Sequence, residues 1–293
     1  MKLFRQLGAV ARFVWTHPAN RGRRARAMAR AAGWQLYKRV ARRPLDVPVY
    51  GGLTLRCHAD SSSSSLALYA AGYPEWEEMS FVRDYLAPGD GFVDVGANVG
   101  VYALLAASRV GPTGRVVCFE PGRQPLRRLR ENLELNGLDN VEVLPFAVSD
   151  RAGTIRFDTA AGTTGHMASG GGATEEATSV RLDDVLPEGA WAMGKMDIEG
   201  AEPLALRGAE RHLAEMNPPV WLVEVNGCLR RYGFTEAQLW AWLGERGWDV
   251  CLYDPAARAL RDCPTPSSRY QNILAVARGA RGRVEARLKT PGA

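Results

Sequence analysis

Gly89-Asp-Gly-Phe-Val-Asp-Val-Gly-Ala-Asn-Val-Gly100 joins a short apolar run, Phe92 to Val95, to a glycine-bearing turn. The turn opens onto Val99 to Ser108, where apolar residues recur at helical spacing, so the segment reads as strand, turn and helix. Glycines at 96 and 100 let a backbone approach a ligand closely, and the start of the helix presents unpaired N–H groups. Asp94 stands two residues before the first glycine. A carboxylate inside a buried parallel strand is costly unless it is paired, so Asp94 is expected to face the turn and accept hydrogen bonds.

The spacing is Gly-x-x-x-Gly, whereas a dinucleotide pyrophosphate is wrapped by Gly-x-Gly-x-x-Gly. That disfavours a nicotinamide or flavin and points to a cofactor without phosphates. Arg115 to Phe119 form a second strand ending in Glu120. An acidic residue at this distance past the glycine turn is placed to bind ribose hydroxyls, so the expected ligand is a nucleoside.

Four segments in this order, Asp94-Val-Gly-Ala-Asn-Val-Gly100, Phe119-Glu-Pro121, Ala147-Val-Ser-Asp150 and Lys195-Met-Asp-Ile-Glu-Gly-Ala-Glu202, resemble the FkbM family of S-adenosylmethionine-dependent methyltransferases. The resemblance runs over residues 66 to 277. It implies a Rossmann-like α/β fold with helices on both faces of a mostly parallel, seven-stranded sheet. It also implies S-adenosylmethionine as cofactor, with O-methylation of a hydroxyl on a sugar, glycan or secondary metabolite. On this resemblance Asp94, Asn98 and Glu120 serve the amino-acid and ribose portions of the cofactor, Gly96 and Gly100 admit it, and Phe146 and Ala147 lie against its adenine.

The chain has 293 residues, 46% of them hydrophobic, enough for one large α/β domain with an extension. Five cysteines with no Cys-x-x-Cys pair suggest neither a disulfide framework nor a zinc site, and a reducing, cytoplasmic compartment is expected. Residues 1–43 carry twelve Lys or Arg and no acidic residue, and residues 278–293 carry five basic residues and one acidic. Removing these from the totals of 37 basic and 32 acidic residues leaves 20 against 31, an acidic middle between basic ends.

Leu3, Leu7, Val10 or Ala11, and Val14 form one helical stripe in the extension 1–65, and Met28, Ala32, Leu36 and Val40 another, on two basic amphipathic helices parted near His17-Pro18. Two readings stand: peripheral contact of residues 1–43 with an anionic membrane, or helices packed on the domain with a solvated basic face. Arg12 interrupts the apolar run that a secretory signal would need, and no run approaches the about 20 residues that span a bilayer. A small hairpin is expected over Val47 to Cys57, a flexible turn over Ser61 to Ser65, a loop over Thr159 to Thr178, and a basic tail after residue 277.

Trp191 to Met196 reads as the fourth strand, breaking at Asp197 before a helix that begins near Gly200. The carboxyl ends of strands in open α/β sheets hold ligands, so Asp197 is the first candidate for the base that receives the acceptor's proton. Glu199 is second, and Lys195 is a candidate to orient one of them. A competing mechanism has Asp197, Glu224 and Asn226 hold Mg²⁺ against substrate oxygens, although no metal is assigned. The acceptor partner is expected to be a small molecule or glycan. An alternative is a noncatalytic or nucleic-acid-binding protein using its basic termini. Val220 stands where the Asn-Pro-Pro-aromatic motif of nucleic-acid amino-methyltransferases needs an aromatic residue, so no nucleic acid is expected.

Overall fold

The computed structural model describes residues 2–41, 43–158, 166–167, 174–225, 227–267 and 269–290. Its centre is an eight-stranded sheet in the order Ala259–Asp262, Trp248–Asp254, Asn272–Ala277, Val220–Glu224, Met193–Met196, Gly91–Val95, Arg115–Phe119, Val141–Leu144. The five strands from Val220–Glu224 to Val141–Leu144 run parallel, and Asn272–Ala277 enters antiparallel beside Val220–Glu224. The expected seven strands are therefore eight. Ala259–Asp262 folds back on Trp248–Asp254 as a hairpin partner at the edge, a strand too short and polar to announce itself.

Every residue of Gly91–Val95 is buried, which is why the strand reads as a continuous apolar run. Successive side chains enter opposite cores, Phe92 on one face and Val93 and Val95 on the other. The first core packs under helices Trp76–Tyr85 and Val101–Val110, and the second under Glu202–Arg207 and Glu236–Glu245. Gly100 caps Val101–Val110 with φ +90, a left-handed conformation that glycine adopts without strain.

The amino-terminal residues form helices Lys2–Thr16 and Arg24–Val40, joined through a single 3₁₀ turn at Pro18–Asn20. They pack on the domain, since Val14, Ala27, Ala31 and Trp34 join the same core as Phe92 and Leu104. Trp34 donates from Nε1 to Ser65 Oγ at 3.1 Å, and Asn20 donates to the carbonyls of Val14 and Tyr69. The buried face of the second helix differs from the expected stripe, for Leu36 and Val40 remain 66% and 75% exposed. Three further expectations change. The serine run is the start of helix Ser62–Tyr69, capped by Ser61 Oγ accepting from Ser64 N and held by burial of Ser64 and Leu68. Thr174–Val180 is a strand paired with Gly153–Asp158, its outward threonines alternating with inward residues, while 159–165 and 168–173 of the expected loop lie outside the described residues. The expected basic tail contains helix Arg281–Lys289, anchored by buried Val284 and Leu288.

Candidate active site

A cavity of about 510 Å³ opens at the carboxyl ends of the parallel strands, the size and place at which such sheets hold small ligands. Gly96, Asn98, Glu120, Phe146, Ala147, Asp197 and Glu199 line it. Asp94, Gly100 and Lys195 stand behind that surface. Asp94 is fully buried, and Gly100 faces Leu129, whose Cδ1 lies 2.7 Å from where a Cβ would stand.

The turn is built around Glu120. One carboxylate oxygen accepts from Asn98 N at 2.8 Å and the other from Gly122 N at 2.8 Å. Asn98 itself has φ 52, a left-handed backbone conformation uncommon outside glycine. Burial pushes the Glu120 carboxyl up to about 7 even though both backbone N–H groups favour its charged form. Gly96, at φ +80, is required by a contact the sequence did not show: a Cβ there would lie 2.0 Å from the Asp197 carbonyl oxygen. The first glycine thus fits two adjacent strand ends together.

Lys195 and Asp94 are cross-strand partners in the parallel register. Lys195 Nζ lies 3.7 Å from Asp94 Oδ1 and 3.1 Å from Asp197 Oδ2, and sits 4.8 Å from the centre of the Tyr102 ring. Burial alone would lower the lysine's pKa, but Asp197, Asp94 and Glu75 outweigh it and hold the ammonium above its ordinary value. Burial raises Asp94 to about 6 against the pull of Lys195. Neither oxygen of Asp94 has a hydrogen-bond partner among the described residues, so an ammonium is the only group answering it.

Asp197, Glu199 and Glu224 bring carboxylate oxygens within 4.8 Å of one another. Burial, then the neighbouring charges of Asp197, Glu199 and Glu202, push Glu224 far above the carboxylate range, so it is protonated near neutrality. Glu199 takes φ 58, and the loop it belongs to is tied by Glu202, which accepts from Ile198 N at 2.8 Å and Gly200 N at 3.2 Å. Asp197 and Glu224 do meet, with Glu199 as the third group. Asn226, named for the metal alternative, lies outside the described residues.

Sequence reasoning passed over Ser62, Glu75 and Tyr232, which also line the cavity. Glu75 accepts a hydrogen bond from the Tyr102 hydroxyl, and burial, then Asp197, raises its pKa. Its signal was the Glu75-Trp-Glu-Glu78 cluster at the start of the helix that precedes the strand and its glycine turn, which packing alone does not require.

A parallel sheet with a glycine turn after its first strand, an acidic residue closing the second and a carboxylate ending the fourth defines a Rossmann-like methyltransferase of the first class. The profile of the methyltransferase FkbM domain matches residues 94–250, and the chain belongs to that family. Among solved structures, a methyltransferase FkbM from Methylobacillus flagellatus is 17% identical with a TM-score of 0.42, covering 86% of this chain and 60% of its own. A SAM-dependent O-methyltransferase from Thermotoga maritima is 15% identical with a TM-score of 0.39, over 68% of this chain and 63% of its own. An arsenite methyltransferase from Halobacterium salinarum is 37% identical over 57 residues, 20% of this chain and 15% of that protein. The chain thus spans less than two thirds of these relatives.

S-adenosylmethionine is the cofactor of this family, and the cavity suits it. Glu120 ends its strand with a carboxylate on the cavity lining, Gly96 keeps a side chain out of the turn, and Asp94, buried behind it with no hydrogen-bond partner among the described residues, faces the Lys195 ammonium.

Proposed function

We propose that the chain is an O-methyltransferase that moves a methyl group from S-adenosylmethionine to a hydroxyl of a small molecule or glycan. What supports this most is the meeting of two constructions at one cavity: the Glu120-clamped turn and an Asp197 carboxylate held by a buried lysine. Glu120 would bind the ribose, Asn98 the amino-acid portion, and Phe146 and Ala147 the adenine, while Asp94, expected to serve the amino-acid portion, lies buried behind them against Lys195. When bound, the cofactor supplies a methyl group on a positively charged sulfur. Little is then needed from the protein beyond orientation, exclusion of water and a destination for the acceptor's proton.

Asp197 takes that proton. It is 29% exposed at its side chain, so an acceptor hydroxyl can reach it, and Lys195 fixes one of its oxygens. Burial and the neighbouring carboxylates raise Glu224 beside it, and of the two it is Asp197 that Lys195 holds and the cavity exposes. Glu199 is the alternative acceptor. The experiment is incubation with methyl-labelled S-adenosylmethionine and fractionated cell extract. Label in a base-stable methyl ether on a glycan or small metabolite supports the reading, and a base-labile ester or an N-methyl product overturns it.

We also propose that the amino-terminal hairpin touches anionic membrane. Supporting this, Trp15, Leu36 and Val40 are 53%, 66% and 75% exposed among arginines and lysines, although other residues of both helices are buried in the domain. No helix among the described residues is long and apolar enough to cross a membrane.

A further inference from the structure

Two pieces of the cavity wall come from the stretch between the extension and the glycine turn. Ser62, Ser63 and Leu66 belong to helix Ser62–Tyr69, and Glu75 stands just before helix Trp76–Tyr85. All four lie outside residues 94–250, which match the family profile. Glu75 also lines a second cavity, of about 580 Å³, whose wall includes His17 and Pro18.

Helix Ser62–Tyr69 has eight residues, and an isolated helix below about 12 residues is marginal in water. It stands because its surroundings hold it, and the amino-terminal helical hairpin holds both of its ends. At its start, Trp34 Nε1 donates to Ser65 Oγ at 3.1 Å, and that hydroxyl donates to the Ser61 carbonyl at 2.9 Å. Ser62 and Ser63 sit inside the turn so closed. At its end, Asn20 Nδ2 donates to the Tyr69 carbonyl at 2.9 Å, one of the last helical carbonyls that the helix itself leaves unpaired, and Gln35 bonds the Tyr69 hydroxyl.

His17 holds the second piece. Its Nδ1 accepts from Ala19 N at 3.3 Å, so Nε2 carries the proton and donates to the Pro74 carbonyl at 3.1 Å. That carbonyl belongs to the peptide unit leading into Glu75, so fixing it fixes where Glu75 leaves the backbone. From there the Glu75 carboxylate accepts from the Tyr102 hydroxyl.

We propose that the amino-terminal hairpin is a working part of the active site, with Trp34, Asn20 and His17 as positioning residues that hold two walls of the cavity in the form that binds S-adenosylmethionine. The proposal rests on the methyltransferase reading above. Apolar packing through Val14, Ala27 and Ala31 would suffice to seat the hairpin on the domain. Burying His17 and Asn20 is costly without hydrogen bonds, and the bonds that offset the cost land on the one segment that walls the cavity.

The test uses the full chain, with S-adenosylhomocysteine as the probe in calorimetric titrations run well below the melting temperature of every variant. Hydrogen exchange of the amides in residues 61–75 is followed in parallel. Trp34→Phe keeps a ring but loses the N–H, and His17→Ala frees the Pro74 carbonyl. Each should bind S-adenosylhomocysteine about fivefold or more weakly than wild type and exchange faster in residues 61–75. His17→Gln, which keeps an N–H within reach of Pro74, should regain most of the affinity. Variants that melt lower than wild type yet bind S-adenosylhomocysteine equally well would reduce the hairpin to an anchor and overturn the proposal, as would a His17→Gln variant no better than His17→Ala. Failure of the wild type itself to bind S-adenosylhomocysteine overturns the methyltransferase reading and the positioning role with it.

Discussion

Lys195 Nζ is 3.1 Å from Asp197 Oδ2, and the lysine side chain is only 4% exposed while the aspartate faces the cavity. An ammonium buried between Asp94 and Asp197 fixes the direction of the exposed carboxylate and balances the buried one. Asp197→Asn should lower methyl transfer by about 100- to 10,000-fold, the range for a lost general base, and leave S-adenosylhomocysteine affinity nearly intact. Lys195→Met should also cost about 3–5 kcal/mol of folding stability because it strands Asp94 without a partner. Lys195→Arg should restore part of the stability. Equal kcat in Asp197→Asn and wild type would remove Asp197 from the chemistry.

Asp94 and Glu120, raised by burial to about 6 and about 7, bind protons more tightly in the folded chain than in the unfolded one. The stability they confer is complete below the ordinary carboxylate range and is lost as pH rises through 6 to 7. The ligand-free protein should therefore melt at a higher temperature at pH 5 than at pH 8, and Glu120→Gln should flatten that slope. A steeper slope in Glu120→Gln than in wild type, measured by calorimetric melting, would contradict the assignment.

Gly96→Ala combines a left-handed backbone with a Cβ placed 2.0 Å from the Asp197 carbonyl oxygen. Backbone strain alone costs about 1–3 kcal/mol. The displaced Asp197 should also reduce transfer. Denaturant unfolding beside an activity assay separates the two losses, and a variant as stable and active as wild type would show that the strand ends can part.

Methyl transfer should survive metal chelation if Asp197 works as a base. The crowding of Asp197, Glu199 and Glu224 within 4.8 Å makes the control worth running. Activity lost in EDTA and restored by Mg²⁺ would reassign these three carboxylates as ligands.

Deleting residues 1–43 would expose the core that Val14 and Trp34 help to fill, so point variants give the cleaner test of membrane contact. The triple variant Trp15→Ser, Leu36→Ser, Val40→Ser alters exposed positions only, and should sediment about tenfold less with anionic liposomes than wild type while melting unchanged. Equal sedimentation of the two proteins would discard the membrane proposal.

The glycine turn, the acidic ends of its neighbouring strands and the mostly parallel character of the sheet were legible in the sequence, because a strand buried on both faces is apolar nearly throughout and its end is where polarity resumes. Glu120 and Asp197 could be singled out for that reason, and Asp94 because a carboxylate inside such a strand is costly. Only the tertiary structure decided that Gly96 is demanded by the Asp197 carbonyl, that the serine run is helical, that Glu75 stands between two cavities, and that the basic helices share the domain's core. Those outcomes depend on contacts between residues far apart in the chain, such as His17 with Pro74 and Glu224 with Asn272, which no local periodicity encodes.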